Sequence, residues 1–109
     1  MQVPLEINYK DVSKADWIET FVQQRVDKLQ RLASDMISCR VAVEMDHKRR
    51  QGGNPYYVRV EVSLPGKKRL ATASELLEAG ENSKVELQNA IRDAFGAMEK
   101  RLKKVKSRK

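Results

Sequence analysis

The sequence predicts an α/β (α+β) two-layer sandwich: a four-stranded mixed sheet with two helices packed on one face, in the order β-α-β-β-β-α. Three observations lead there. Two stretches repeat apolar residues every three or four positions, as amphipathic helices do. Three others alternate apolar and polar residues clearly, and a fourth does so weakly, as half-buried strands do. Turn-forming residues separate the alternating stretches. With 109 residues, 40% of them hydrophobic, the chain can build one modest core, and residues 1–109 read as a single domain.

Val3, Leu5, Ile7 and Tyr9 alternate with Pro4, Glu6 and Asn8, which predicts a first strand. Pro4 places it at an edge or at a strand start. Ser13-Lys14-Ala15-Asp16 then reads as a helix start, with Ser13 as the capping oxygen and Asp16 adding negative charge to the first turn. Ile18, Val22, Val26, Leu29 and Ala33 follow at spacings of four and three, widened by Phe21 and Leu32. The first helix is expected from about Lys14 to Ala33.

Ile37, Cys39, Val41, Val43 and Met45 give the clearest strand, and Val58, Val60, Val62 and Leu64 a third. Between them lies a loop, His47 to Pro55, rich in turn residues. Pro65-Gly66 has the residues of a type II turn, since proline presets φ and glycine accepts φ > 0. A weakly alternating fourth strand is expected from Lys67 to about Ser74. Glu75 to Asn82 is acidic, contains Gly80, and reads as a mobile loop. Ser83-Lys84-Val85-Glu86 has the form of a capping box. Leu87, Ile91, Ala94, Phe95, Met98, Leu102 and Val105 then trace one face of a second helix from Lys84 to about Lys106. It would be about 34 Å long at 1.5 Å per residue. The first two strands, joined through a helix, should be parallel, and the others antiparallel.

The formal net charge is +7 and is unevenly spread. Glu99 to Lys109 holds seven bases and one acid, hence +6, whereas Met1 to Met98 holds 15 bases and 14 acids, hence +1. A balanced body with a basic end from about residue 99 is an electrostatic footprint for a polyanion, although a lysine-rich helix end can also be merely solvated. Lys100, Arg101, Lys103 and Lys104 on the second helix are therefore candidate RNA-binding residues, with Arg92 about two turns before Lys100. Arg25, Lys28 and Arg31 lie three apart on one side of the first helix and could form the other rim, or simply pair with neighbouring acids such as Asp27. Lys48-Arg49-Arg50 is a cation cluster in the long loop, suited to an RNA groove or to protecting a sheet edge. Lys67-Lys68-Arg69 ranks below it. Of Tyr56 and Tyr57, one ring is expected on the core and the other half exposed, where an unpaired base could stack.

Other chemistries fare poorly. His47 and Cys39 are the lone histidine and cysteine, so neither a catalytic triad nor an internal disulfide can be built. Cys39 falls on the inward register and reads as a core thiol; Trp17 reads as packing at the core's edge. No run of His, Cys or carboxylates has metal-ligand spacing. No Gly-rich loop precedes a helix, so no cofactor and no small-molecule substrate is expected, and the chain is not expected to be an enzyme. No apolar run approaches the ~18 residues of a membrane span. The first residues have no basic-then-apolar leader pattern. A cytoplasmic protein without membrane contact is expected.

Element order and several local strings together resemble the ribosome hibernation-promoting factor family, also known as YfiA or RaiA. The strings are Met1-Gln2-Val3-Pro4-Leu5-Glu6-Ile7, Ile37-Ser38-Cys39-Arg40-Val41-Ala42-Val43-Glu44, Tyr57 through Gly66, and Ala90-Ile91-Arg92-Asp93-Ala94-Phe95. The resemblance implies a translation-silencing factor that binds small-subunit rRNA in the channel used by mRNA and tRNA. It implies that Arg25, Lys28 and Arg31, with Lys100 and Lys104, match the family's basic helix positions. It also implies a short form, monomeric off the ribosome, lacking the domain with which long members pair ribosomes. The chain departs from the family at Gln88, where tyrosine is usual, at Tyr57, where histidine is common, and at Ala97, where a base is usual. Two other classes fit the residues: a general double-stranded RNA-binding or ribosome assembly module, and a protein-interaction module using the long second helix as a coiled-coil seam.

Overall fold

A computed structural model describes residues 3–46, 53–75 and 77–107. Its elements are β1 (Leu5–Lys10), α1 (Asp16–Leu32), β2 (Ser38–Met45), β3 (Tyr56–Leu64), β4 (Lys68–Ala73) and α2 (Ser83–Ser107). The strands form one sheet in the order β1-β2-β3-β4. β1 runs parallel to β2, while β2–β3 and β3–β4 are antiparallel, as the connections require.

Alternation decides the two faces of the sheet. Val41 pairs with Val60 and Val43 with Val58, and all four are fully buried. They meet Ile18, Val22, Val26 and Leu29 of α1, and Leu87, Ile91, Phe95, Met98 and Leu102 of α2, in one cluster. The intervening positions, including Glu6, Arg40, Arg59 and Glu61, form the open face. There Glu6 stands opposite Arg40 and Arg40 opposite Glu61. Arg40 is within 3.8 Å of Glu6 and 3.9 Å of Glu61, and Arg59 within 3.8 Å of Glu61.

The weak alternation of β4 has a local cause. Thr72 pairs with buried Val60 and so points inward, where its hydroxyl donates to the Ala94 carbonyl of α2 at 2.8 Å. A satisfied hydroxyl replaces an apolar side chain there, which hides the strand from a hydropathy pattern.

Several expectations need correction. Ser13 does not cap α1: the capping position is Ala15, in extended conformation and without a side-chain cap. Burial of Ile18, one turn in, fixes where the helix begins, and Asp16 and Glu19 supply the negative first turn. The cap of α2 lies one residue before the expected box. Asn82 Oδ1 accepts from Val85 N at 2.9 Å, and the Glu86 carboxylate turns back to Gly80 N at 3.0 Å. Ile37 precedes β2 rather than opening its buried row and is exposed, though its amide donates to Ser63 O. Gly66 has the expected positive φ of 80°, but Lys67 is left-handed too, at 61°.

The segment read as a mobile loop is tied down where it is described. Buried Asn54 donates from its backbone amide to Leu77 O and from Nδ2 to Glu86 O, each at 2.7 Å, while its Oδ1 accepts from Tyr56 N. Glu75 N donates to Asp93 Oδ2 at 2.8 Å. These bonds join the start of β3, the loop and the first turns of α2.

Candidate nucleic-acid interface

The helices lie side by side and run in the same direction. Phe21 meets Arg92, Lys28 meets Glu99, and Asp35, just beyond α1, meets Lys106. The contacts recur every seven residues on both sides, two turns apart, so one stripe of α2 is used throughout. That stripe and the outer side of α1 make a continuous surface opposite the open face of the sheet.

At its N-terminal end the surface is aromatic as well as basic. Trp17 and Phe21 pack edge to face with centroids 6.3 Å apart and an interplanar angle of 68°. Both are only partly buried. Lys84 Nζ lies 5.3 Å from the Trp17 ring centroid, and the guanidiniums of Arg25 and Arg92 lie 5.1 and 5.3 Å from that of Phe21. At these distances a cation is attracted by the ring's negative face, by about 0.5–1 kcal/mol when exposed.

Further along, Lys28 Nζ is 3.4 Å from Glu99 Oε1. Its partner is thus on α2, not the adjacent Asp27, which accepts from Gln23 instead. Arg31, Lys100 and Lys103 are exposed, and no described acid pairs with them; Lys104 is exposed beside them. Arg101 stands apart from the group. Its Nη1 lies 3.4 Å from the Ala71 carbonyl, so it reaches over the outer edge of β4. Lys106 donates to both oxygens of Asp35 at 2.8 Å, which holds that carboxyl below its ordinary pKa and fastens the end of α2 to the turn after α1.

The structure therefore brings Arg25 to Arg92 across Phe21, and Lys28 to α2 through Glu99. Lys48, Arg49 and Arg50 lie outside the described residues. Sequence reasoning missed Lys84, since only the packing of the helices shows that it sits over Trp17. Trp17 was legible as a residue at the core's edge, but not as part of a cationic row. Tyr56 is buried and Tyr57 half exposed on the open face, in line with one ring inside and one out.

Among the described residues, no three His, Cys, Asp or Glu side chains cluster to hold a metal ion. No described helix is long and apolar enough to cross a membrane. Cys39 is buried in β2, and burial pushes its thiol up to about 12, far from a reactive thiolate.

The fold is similar to two solved structures. The N-terminal domain of Protein Y from Thermus thermophilus superposes with a TM-score of 0.69 at 18% identity, covering 96% of this chain and 99% of that one. A ribosomal subunit interface protein from Coxiella burnetii gives 0.68 at 13% identity, covering 94% and 99%. No curated protein matches the sequence. Residues 5–109 match the family described as sigma 54 modulation protein / S30EA ribosomal protein. With that match spanning nearly its whole length, the chain belongs to this family of ribosome-associated modulation proteins.

Proposed function

We propose that this chain silences translation by seating its helical surface on small-subunit rRNA, in the channel that mRNA and tRNA occupy. It acts by occupancy, without catalysis, as a cytoplasmic monomer when off the ribosome. Arg25, Lys28 and Arg31 on α1 and Arg92, Lys100, Lys103 and Lys104 on α2 are the contact residues, joined by Lys48, Arg49 and Arg50 from the loop and by Arg101.

The observation that carries this reading is the concentration of positive charge from Glu99 onward. From Glu99 to the end of the chain the net charge is +6, against +1 for everything before it. Arg31, Lys100 and Lys103 have no described acid against them. Exposed cations of that kind displace counterions from nucleic-acid phosphates, each contact adding about 0.9 to the salt slope on a duplex. Helical rRNA offers a protein its backbone more readily than its base edges, so phosphate and shape contacts dominate. Membership of a ribosome-associated family supports a ribosomal partner, and the Protein Y and subunit interface folds are consistent with it.

The test is co-sedimentation with purified ribosomes at low and high salt, with a Lys100→Glu/Lys104→Glu variant alongside. The native chain should pellet with the small subunit, tRNA and mRNA should displace it, and the variant should remain in the supernatant. A native chain that stays in the supernatant at low salt refutes the reading. Equal binding to any free duplex RNA would point to a general duplex binder, and salt-independent self-association to a protein-interaction module.

A further inference from the structure

We propose that the cleft between the N-terminal ends of α1 and α2 takes a single unpaired RNA base, stacked against Trp17 with its phosphate on Lys84. This rests on the helical surface being an RNA contact, and adds a subsite that distinguishes unpaired from paired RNA.

The cleft has a volume of about 450 Å3, within the roughly 300–1,000 Å3 usual for small-ligand sites. Ile18, Tyr56 and Leu87 line it from the core, each no more than 7% exposed. Trp17 and Met45 add partly buried apolar surface, and Ser83 and Lys84 bring polar groups from the first turn of α2. A largely apolar cleft beside an indole suits a planar heterocycle. A free anion would use only the polar side of the cleft and leave its apolar wall uncovered. A nucleotide answers both halves of the site: its base takes the place of the Lys84 ammonium over the indole, and the exposed lysine turns out to its phosphate.

The cleft is also not isolated. From Trp17 the edge-to-face contact leads to Phe21, and over Phe21 stand Arg25 and Arg92. Seven residues further along each helix come Lys28 and Glu99. Alternating aromatic rings and cations are what single-stranded nucleic acid requires, since every base has a π-face and every linkage a charge. The far end of the surface carries cations without rings, at Arg31, Lys100 and Lys103, and is suited to backbone alone. One surface thus offers base stacking at one end and phosphate contacts at the other.

Trp17 is the only tryptophan, so its emission reports on the cleft directly. The full chain is titrated with a short single-stranded oligoadenylate and with a blunt RNA duplex. Emission should be quenched by the single strand and not by the duplex. Trp17→Leu should weaken small-subunit binding by about 5- to 100-fold with an unchanged salt slope, while Trp17→Phe should retain most of the affinity. Lys84→Gln, an exposed change, should weaken the oligoadenylate titration and lower its salt slope by about 0.7. Emission that stays constant while ribosomes bind overturns the cleft and leaves the silencing function standing. Quenching by single strands in a chain that fails to pellet with ribosomes supports the cleft and removes that function. A Trp17→Leu chain that melts like the native protein and binds subunits equally well also overturns it.

Discussion

On the open face of the sheet, Arg40 stands between Glu6 and Glu61, and Arg59 shares Glu61. On the helical surface, Arg25 and Arg92 stand over a phenyl ring, and Arg31, Lys100 and Lys103 face no described acid. Both regions carry many charges. Strand register causes the difference on the sheet, where pairing places Glu6, Arg40 and Glu61 in one row. On α2 the acids are drawn into structural contacts. Glu86 accepts from Gly80 N, Asp93 from Glu75 N, and Glu99 holds Lys28. The three acids of the helix are thereby engaged, and its bases project a net positive field. Pairing, not charge density, separates a candidate binding face from an ordinary one.

Removing what both regions share should have the largest effect. Phe95→Ala empties the centre of the core and should cost about 3–5 kcal/mol, read as a lower urea midpoint, with ribosome binding lost in proportion to unfolding. Charge reversal should then separate the faces. Lys100→Glu/Lys104→Glu should lower ribosome affinity on the order of a hundredfold at moderate salt, and Arg40→Glu/Arg59→Glu by no more than about threefold. Equal losses would remove the distinction between them. Glu99→Gln sharpens it further. Releasing Lys28 should strengthen co-sedimentation about two- to fivefold, with a steeper salt dependence. It should also cost up to about 1 kcal/mol of stability, since the pair is partly exposed.

The smallest effect is expected at Asp35. Lys106 lowers its pKa from the usual 3.8. The stabilisation is therefore complete above that value and disappears as pH falls through the depressed one. Thermal melts of Asp35→Asn and native protein should differ slightly near neutrality at low salt and converge in strong acid.

The sequence showed most of the fold because the core strands alternate without interruption, Val41 and Val43 against Val58 and Val60. It showed less where one side chain substitutes for another in the same task. Asn82 caps α2 although Ser83 has the more familiar pattern, and nothing local distinguishes them until Glu86 turns to Gly80. Ala15 ends α1 with no capping oxygen, so burial of Ile18 sets a boundary that propensity puts earlier. In the candidate site the cations were legible one helix at a time. Their partners were not, because Lys28–Glu99 and Lys106–Asp35 are each separated by 71 residues, a relation fixed only by how two helices pack. The contact of Lys84 with Trp17 was hidden for the same reason.

Cys39 sits on a central strand, paired with Leu5 on one side and Val62 on the other, and is 2% exposed. Its thiol is both sheltered and protonated, so an alkylating reagent reaches a thiolate only when the core packed over β2 opens. The labelling rate of this one atom is therefore a clock for opening of the core, with no competing cysteine to blur it. A partner that binds only the folded form must slow that clock in proportion to its occupancy. The chain carries its own tag-free gauge of how much of it is seated on a ribosome at any moment.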